Sequence, residues 1–326
     1  MIYDNHNRPI TYLRLAVTDR CNLRCFYCMP EEGIRYLPKT QLLTYEEMER
    51  VVRVLARLGV QKVRITGGEP FVRNDLMGFL HRLAAVDGLT DISLTTNGVL
   101  TAPHVADLAA LGVRAVNLSL DTLDRDRFRQ ITRRDELPAV LDTLDKLLAA
   151  GIQTKINAVV MDGQNIADLI PLAELTRKLP VDVRFIEEMP FNGAGAHYPV
   201  LHWTHERIVE HLRTYYPDLR KLPDAPHATA REYQIPGHRG TIGIIAAFSR
   251  TFCGTCNRIR LTAQGTLKTC LYDNGVLDVR QLLRTGATDD QLTAAFGRAF
   301  AHRPANGFVA EHHRGIVTES MATIGG

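Results

Sequence analysis

The chain has 326 residues, about two domains' worth at roughly 150 residues each, and its 45% hydrophobic and 23% charged content excludes disorder and collagen-like repeats. The 39 basic and 36 acidic side chains leave a net charge of +3, too even for a protein that binds nucleic acid by neutralising many phosphates, although a local basic pocket stays open. The opening residues carry an acid and no apolar stretch, and the longest apolar run, Ile242 to Phe248, is short. A cytoplasmic protein without membrane contact is the expectation.

Hydrophobic periodicity alternates between two and about 3.6 along the first 190 residues. Strand patterns fall at Tyr12–Thr18, Lys62–Thr66, Asp91–Thr96, Arg114–Leu120, Thr154–Val160 and Asp182–Glu188. Helical patterns separate them. After the first strand, Thr44 as N-cap and Glu47 as its capping-box partner open a helix with Met48, Val51, Val52, Leu55 and Leu58 on one face, ended by Gly59. Before the fifth strand, Pro138–Ala150 places Val140, Leu141, Leu144, Leu147 and Leu148 on one stripe. Six strand-helix units in series predict an α/β fold: a partial, open TIM-type barrel of about six βα units, fewer than the eight that close.

Within the strands, Leu13, Leu15 and Val17 alternate with Arg14, Ala16 and Thr18, and Val63 and Ile65 with Arg64 and Thr66. The next three strands repeat the pattern. If helices cover the apolar face, the other face lines a hydrated cavity carrying Arg14, Arg64 and Lys155, three cations suited to an anionic ligand. An antiparallel sheet with one face in water would give the same alternation, but intervening helices argue for parallel connections. Cys21–Cys28, Gly67-Gly68-Glu69-Pro70, Asn97-Gly98, Asp121 and Met189-Pro190 follow strands one, two, three, four and six, at the carboxyl ends where parallel α/β folds bind ligands. Beyond about residue 190 this rhythm fades and shorter strands appear. The expected division is a partial barrel over 1–190 and a smaller α+β domain over 191–326, folded over the barrel mouth.

All six cysteines lie in two groups, Cys21, Cys25 and Cys28 within eight residues and Cys253, Cys256 and Cys270 within eighteen. In a reducing compartment such clusters read as metal ligands or redox centres. Three thiolates leave one coordination position without a protein ligand, whether the metal is zinc or one iron of a four-iron cluster. The first spacing, with Tyr27 before the last cysteine, resembles the signature of the radical S-adenosylmethionine enzymes. That resemblance implies a [4Fe-4S] cluster on Cys21, Cys25 and Cys28, whose open iron chelates S-adenosylmethionine and cleaves it to a 5′-deoxyadenosyl radical. It further implies S-adenosylmethionine contacts from Tyr27, Gly68, Ser119 and Met189.

The second group sits in Cys253-x2-Cys256-Asn-Arg258-x-Arg260-Leu-Thr-x2-Gly-x-Leu-x2-Cys270-Leu. Taken alone, its spacing suits zinc, with His227 or His238 as a fourth ligand. The segment is similar to the second cluster region of the molybdenum cofactor GTP 3′,8-cyclases, and the similarity runs from Arg14 to Gly325-Gly326. It implies a second [4Fe-4S] cluster on Cys253, Cys256 and Cys270 whose open iron binds guanine, a GTP path lined by Arg14, Arg64, Thr95, Lys155, Arg258 and Arg260, and a di-glycine tail reaching the active site. The implied reaction removes the ribose 3′ hydrogen, joins that carbon to guanine C8, and gives (8S)-3′,8-cyclo-7,8-dihydro-GTP. An electron donor, a homodimer and a cyclic pyranopterin monophosphate synthase receiving the product are implied with it. Two other readings stand beside this one: a radical S-adenosylmethionine enzyme modifying peptides, and a zinc-binding nucleic-acid module.

Overall fold

The structure, a computed structural model, describes residues 1–191, 200–314 and 319–325. The first strand, β1 (Tyr12–Ala16), leads through the cysteine loop into α1 (Tyr45–Arg57). Thr44 caps α1 as its sequence requires: its Oγ1 accepts from Glu47 N–H at 3.2 Å, and its own N–H donates to Glu47 at 2.8 Å. Met48, Val51, Val52 and Leu55 are buried, Leu58 packs partly against them, and Gly59 ends the helix at φ +108°. The pattern repeats through β2 (Lys62–Thr66), α2 (Leu76–Ala84), β3 (Asp91–Thr96), α3 (Val105–Ala110) and β4 (Ala115–Ser119). It continues through α4 (Arg125–Thr132), α5 (Leu137–Ala149), β5 (Gln153–Val160), α6 (Leu169–Lys178) and β6 (Val181–Glu187).

β1 to β6 pair in parallel, in sequence order. Their alternation has the expected consequence. Leu13, Leu15, Val63, Ile65, Leu94 and Val116 join one apolar cluster beneath the helices, and Leu118, Ile156, Val183 and Phe185 join a second. The opposite positions face inward.

After α7 (His205–Tyr215) come β7 (Arg220–Lys221), β8 (Ala230–Gln234), β9 (Thr241–Ile245), β10 (Arg258–Leu261), β11 (Thr266–Lys268) and β12 (Leu277–Asp278). Four short helices follow: α8 (Val279–Arg284), α9 (Asp289–Phe300), α10 (Gly307–Arg314) and α11 (Met321–Ile324). These strands add to the same sheet. β10 lies parallel to β1 and β9 parallel to β6, and antiparallel partners extend both edges to give the order β12-β11-β10-β1-β2-β3-β4-β5-β6-β9-β8-β7. The parallel run is therefore eight strands wide, with β9 and β10 at its ends and not joined to each other, so the barrel is open.

The position of the second cysteine group corrects an expectation. Cys256 stands two residues before β10, and β10 pairs Arg258 with Tyr12, the first residue of β1. The group therefore lies at the amino ends of the parallel strands, opposite the barrel mouth where Cys21 follows β1. No helix among the described residues is long and apolar enough to cross a membrane.

Candidate active site

Parallel register sorts the inward cations into rows. Arg260, Arg14 and Arg64 are direct neighbours on β10, β1 and β2; Arg258, Tyr12 and Lys62 form the row toward the amino ends. They line a cavity of about 600 Å³ together with Asn117, Lys155, Asn157, Arg184, Met189 and the three cysteines of the second group. Its size is that of a small-molecule site.

The cations divide by partner. Lys62 pairs with Asp91 at 2.6 Å, Lys155 with Asp182 at 2.9 Å, and Arg184 with Glu232 at 3.3 Å. Arg64 donates to the Tyr12 hydroxyl at 2.5 Å and to Leu94 O at 3.2 Å. Burial holds Arg14 well below its ordinary range, and the charges of Arg260, Arg64 and Arg258 push the same way. Burial and then Arg258 bring Arg260 down to about 10. Among the described residues, Arg14 Nε, Thr95 Oγ1, Asn117 Oδ1, Asn157 Oδ1 and Arg184 Nε are buried without a hydrogen-bond partner. Unmet polar atoms and like charges crowded on one wall are costly unless a polar anion satisfies them.

The first cysteine group gathers at the carboxyl ends with Gly68, Asn97, Ser119 and Asp121. Cys21 Sγ accepts from Leu23 N–H at 3.4 Å and Asn97 Nδ2 at 3.6 Å. Tyr27 donates its hydroxyl to Asp121 at 2.9 Å, and Asp121 also accepts Val159 N–H at 2.8 Å. A Cβ on Gly68 would meet Arg20 O at 2.3 Å, so the missing side chain lets the glycine turn pack directly on the cysteine loop. Glu69 is buried and accepts from Asn97 N–H, Phe71 N–H and Thr96 Oγ1. Thr95 and Ser119 face inward near this end and do not line the cavity. Met189 joins the two ends: it lines the cavity and packs with Phe191, Tyr272 and Ile324.

The C-terminal segment also reaches this end. Ser320 donates to Cys28 O at 2.6 Å, and Arg260 donates to Gly325 O. Gly325 has φ +78°, and a Cβ there would meet Thr66 Oγ1 at 2.6 Å. Gly326, expected beside it, lies outside the described residues.

All six cysteines are free thiols. Burial pushes Cys21 up to about 12, Cys28 up to about 11 and Cys25 in the same direction. Burial likewise takes Cys270 up to about 11, whereas at Cys256 the guanidiniums of Arg258 and Arg303 overcome burial and bring it down to about 6. Arg258 donates to Cys256 Sγ through Nε at 3.4 Å and Nη2 at 3.3 Å. Half-buried free thiols in two groups of three, with Cys21 and Cys256 accepting N–H bonds at sulfur, suit the thiolate ligands of iron–sulfur clusters. Among the described residues no three His, Cys, Asp or Glu side chains converge closely enough to hold a single metal ion. His238 is engaged elsewhere, with Thr176 at 2.8 Å and edge-on to Tyr216.

Some cavity residues escaped the sequence reading. Period-two alternation carried into β6 would have found Arg184, and carried back two residues from Arg64 would have found Lys62. Arg303, in a loop after α9, had no local signal.

An open parallel barrel with a three-cysteine loop after its first strand defines the radical S-adenosylmethionine class. Residues 15–176 match the Radical SAM superfamily, and 181–309 match Molybdenum Cofactor Synthesis C. The chain is 42% identical over 312 residues to the GTP 3′,8-cyclase of Moorella thermoacetica, covering 95% of this chain and 94% of that one. It belongs to the GTP 3′,8-cyclase family. It is also 42% identical to molybdenum cofactor biosynthesis protein 1 of Bos taurus, over 92% of this chain and 47% of that protein, so it spans about half the length of such animal relatives. Streptococcus suis SuiB shares the fold, with a TM-score of 0.64 at 16% identity over 92% of this chain and 68% of that one.

Proposed function

We propose that this protein converts GTP to (8S)-3′,8-cyclo-7,8-dihydroguanosine 5′-triphosphate, the first step of molybdenum cofactor biosynthesis. The observation that carries this reading is the arginine row Arg260-Arg14-Arg64, set with unpartnered buried polar atoms in a cavity between two cysteine groups. A polyphosphate answers both features, because it brings several negative charges and many acceptor oxygens.

Cys21, Cys25 and Cys28 would hold the first [4Fe-4S] cluster, and Cys253, Cys256 and Cys270 the second. When bound, the first cluster with S-adenosylmethionine supplies the carbon radical that takes a hydrogen atom from the substrate. The chain's own residues position the reactants. Tyr27, Gly68, Ser119 and Met189 would contact S-adenosylmethionine, with Asp121 fixing the Tyr27 ring through its hydroxyl. Arg14, Arg64, Lys155, Arg258 and Arg260 would bind the triphosphate and the base edge, and Thr95 would lend its free hydroxyl. An electron donor, a homodimeric state, a cytoplasmic location and transfer of product to a cyclic pyranopterin monophosphate synthase belong to the same proposal.

The test is anaerobic incubation of the reduced, reconstituted protein with S-adenosylmethionine, with and without GTP. Addition of GTP is expected to increase 5′-deoxyadenosine and to produce a nucleotide isomeric with GTP. Equal 5′-deoxyadenosine in both samples and unchanged GTP would defeat the assignment.

A further inference from the structure

Arg303 is 3% exposed and spends all of its donors around the second cysteine group. Nη2 donates to Cys256 Sγ at 3.2 Å and Arg258 O at 2.8 Å; Nη1 donates to Cys256 O at 2.8 Å and Asp4 at 3.1 Å; Nε donates to Thr269 O at 2.9 Å. A guanidinium has five N–H groups, and here each has an acceptor. One side chain thus ties the loop carrying Cys256 to the backbone beside Cys270.

Cys253 is braced from the same anchor. Asp4, whose side chain is fully buried, accepts Arg8 Nε at 2.7 Å as well as Arg303. Arg8 in turn donates to Cys253 O at 3.1 Å, Ala305 O at 2.8 Å and Pro304 O at 2.9 Å. The N-terminal turn and the 303–305 segment, remote in sequence, therefore meet on one carboxylate behind all three cysteines.

A buried ion triad costs desolvation. A structural brace needs only carbonyl acceptors, yet one donor of Arg303 is aimed at sulfur. We propose that Arg303, held by Asp4, is a positioning residue that sets the geometry and raises the reduction potential of the second metal centre through its bond to Cys256. The physical reason is that a cationic N–H donor on a ligand sulfur favours the more negative, reduced form of a cluster. This inference rests on the reading that Cys253, Cys256 and Cys270 hold an iron–sulfur cluster.

The experiment compares wild type, Arg303→Lys, Arg303→Met and Asp4→Asn as full-length reconstituted proteins. The readouts are iron and sulfide content and a redox titration followed by electron paramagnetic resonance. Wild type is expected to carry about eight iron atoms per chain. Arg303→Met is expected to shift the potential of the second centre downward, or to weaken its retention about 10-fold against a chelator. Arg303→Lys recovers part of the change, Asp4→Asn, which frees Arg303 from its anchor, weakens retention of the second centre by less than Arg303→Met does, and the first centre is unmoved in all three. Arg303→Lys and Asp4→Asn keep the test open if Arg303→Met does not fold. Wild type with only about four iron atoms overturns the cluster reading and this inference with it. Wild type with about eight iron atoms, and a second centre of unchanged potential and retention in the variants, overturns the inference alone.

Discussion

Arg14 shows how a residue can oppose stability while serving a site. It is half-buried, its Nε is buried and unsatisfied, and the charges of Arg260, Arg64 and Arg258 act on it. Replacing it with methionine removes a desolvated like charge but keeps most of the volume, so Arg14→Met is expected to raise Tm by an amount corresponding to about 1–2 kcal/mol. The same change removes charge-assisted bonds worth about 2 kcal/mol to a phosphate, roughly 30-fold in KM for GTP. A variant less stable than wild type with unchanged KM would contradict both halves. Asp121 provides a pH test. Burial lifts its carboxyl from 3.8 to about 6 against the hydrogen bonds from Val159 and Tyr27. A raised folded value means the stabilising proton is fully present below 3.8 and lost as pH rises to about 6. Asp121→Asn keeps partners for both groups and cannot ionise, so its Tm relative to wild type should climb from about pH 4 to pH 7 and then level off. A difference constant over that range would contradict the account.

Among the elements, α1 was legible because everything that makes it is local: the Thr44–Glu47 box, the stripe of Met48, Val51, Val52 and Leu55, and Gly59 to end it. β1 to β6 were legible for the same reason, with alternation marking both faces. The pairing of β10 with β1 was not, because period-two alternation identifies a strand but says nothing of a partner from the other end of the chain. That pairing moves the second cysteine group from the mouth to the opposite end. Gly68 was flagged by sequence, but its constraint comes from Arg20 O, a contact no local pattern reports. The C-terminal segment offers the element-level test. Gly325 combines φ +78° with close approach to Thr66 and Ala16, so Gly325→Val cannot hold this path without displacement. Cyclisation is expected to fall at least about 10-fold with iron content unchanged. Wild-type turnover by this variant would remove the tail from the site.

At the scale of the molecule, the two cysteine groups stand at opposite ends of the parallel strands, separated by the five residues of β1, about 16 Å of strand. The cation-lined cavity lies along that length, and its rows form only because β10 closes against β1. Cysteine spacing, Arg14, Arg64, Lys155, Arg258 and Arg260 were readable one motif at a time. The ion pairs that hold Lys62, Lys155 and Arg184, and so set them apart from Arg14, Arg64, Arg258 and Arg260, needed the fold. The central claim is that this cavity presents the ribose of GTP to a radical made at the carboxyl ends. The most direct measurement uses GTP deuterated at ribose C3′ and follows the mass of the 5′-deoxyadenosine formed. The account predicts that the 5′-deoxyadenosine gains one deuterium and forms in step with a cyclised nucleotide. Unlabelled 5′-deoxyadenosine, released at the same rate with or without GTP, would contradict it.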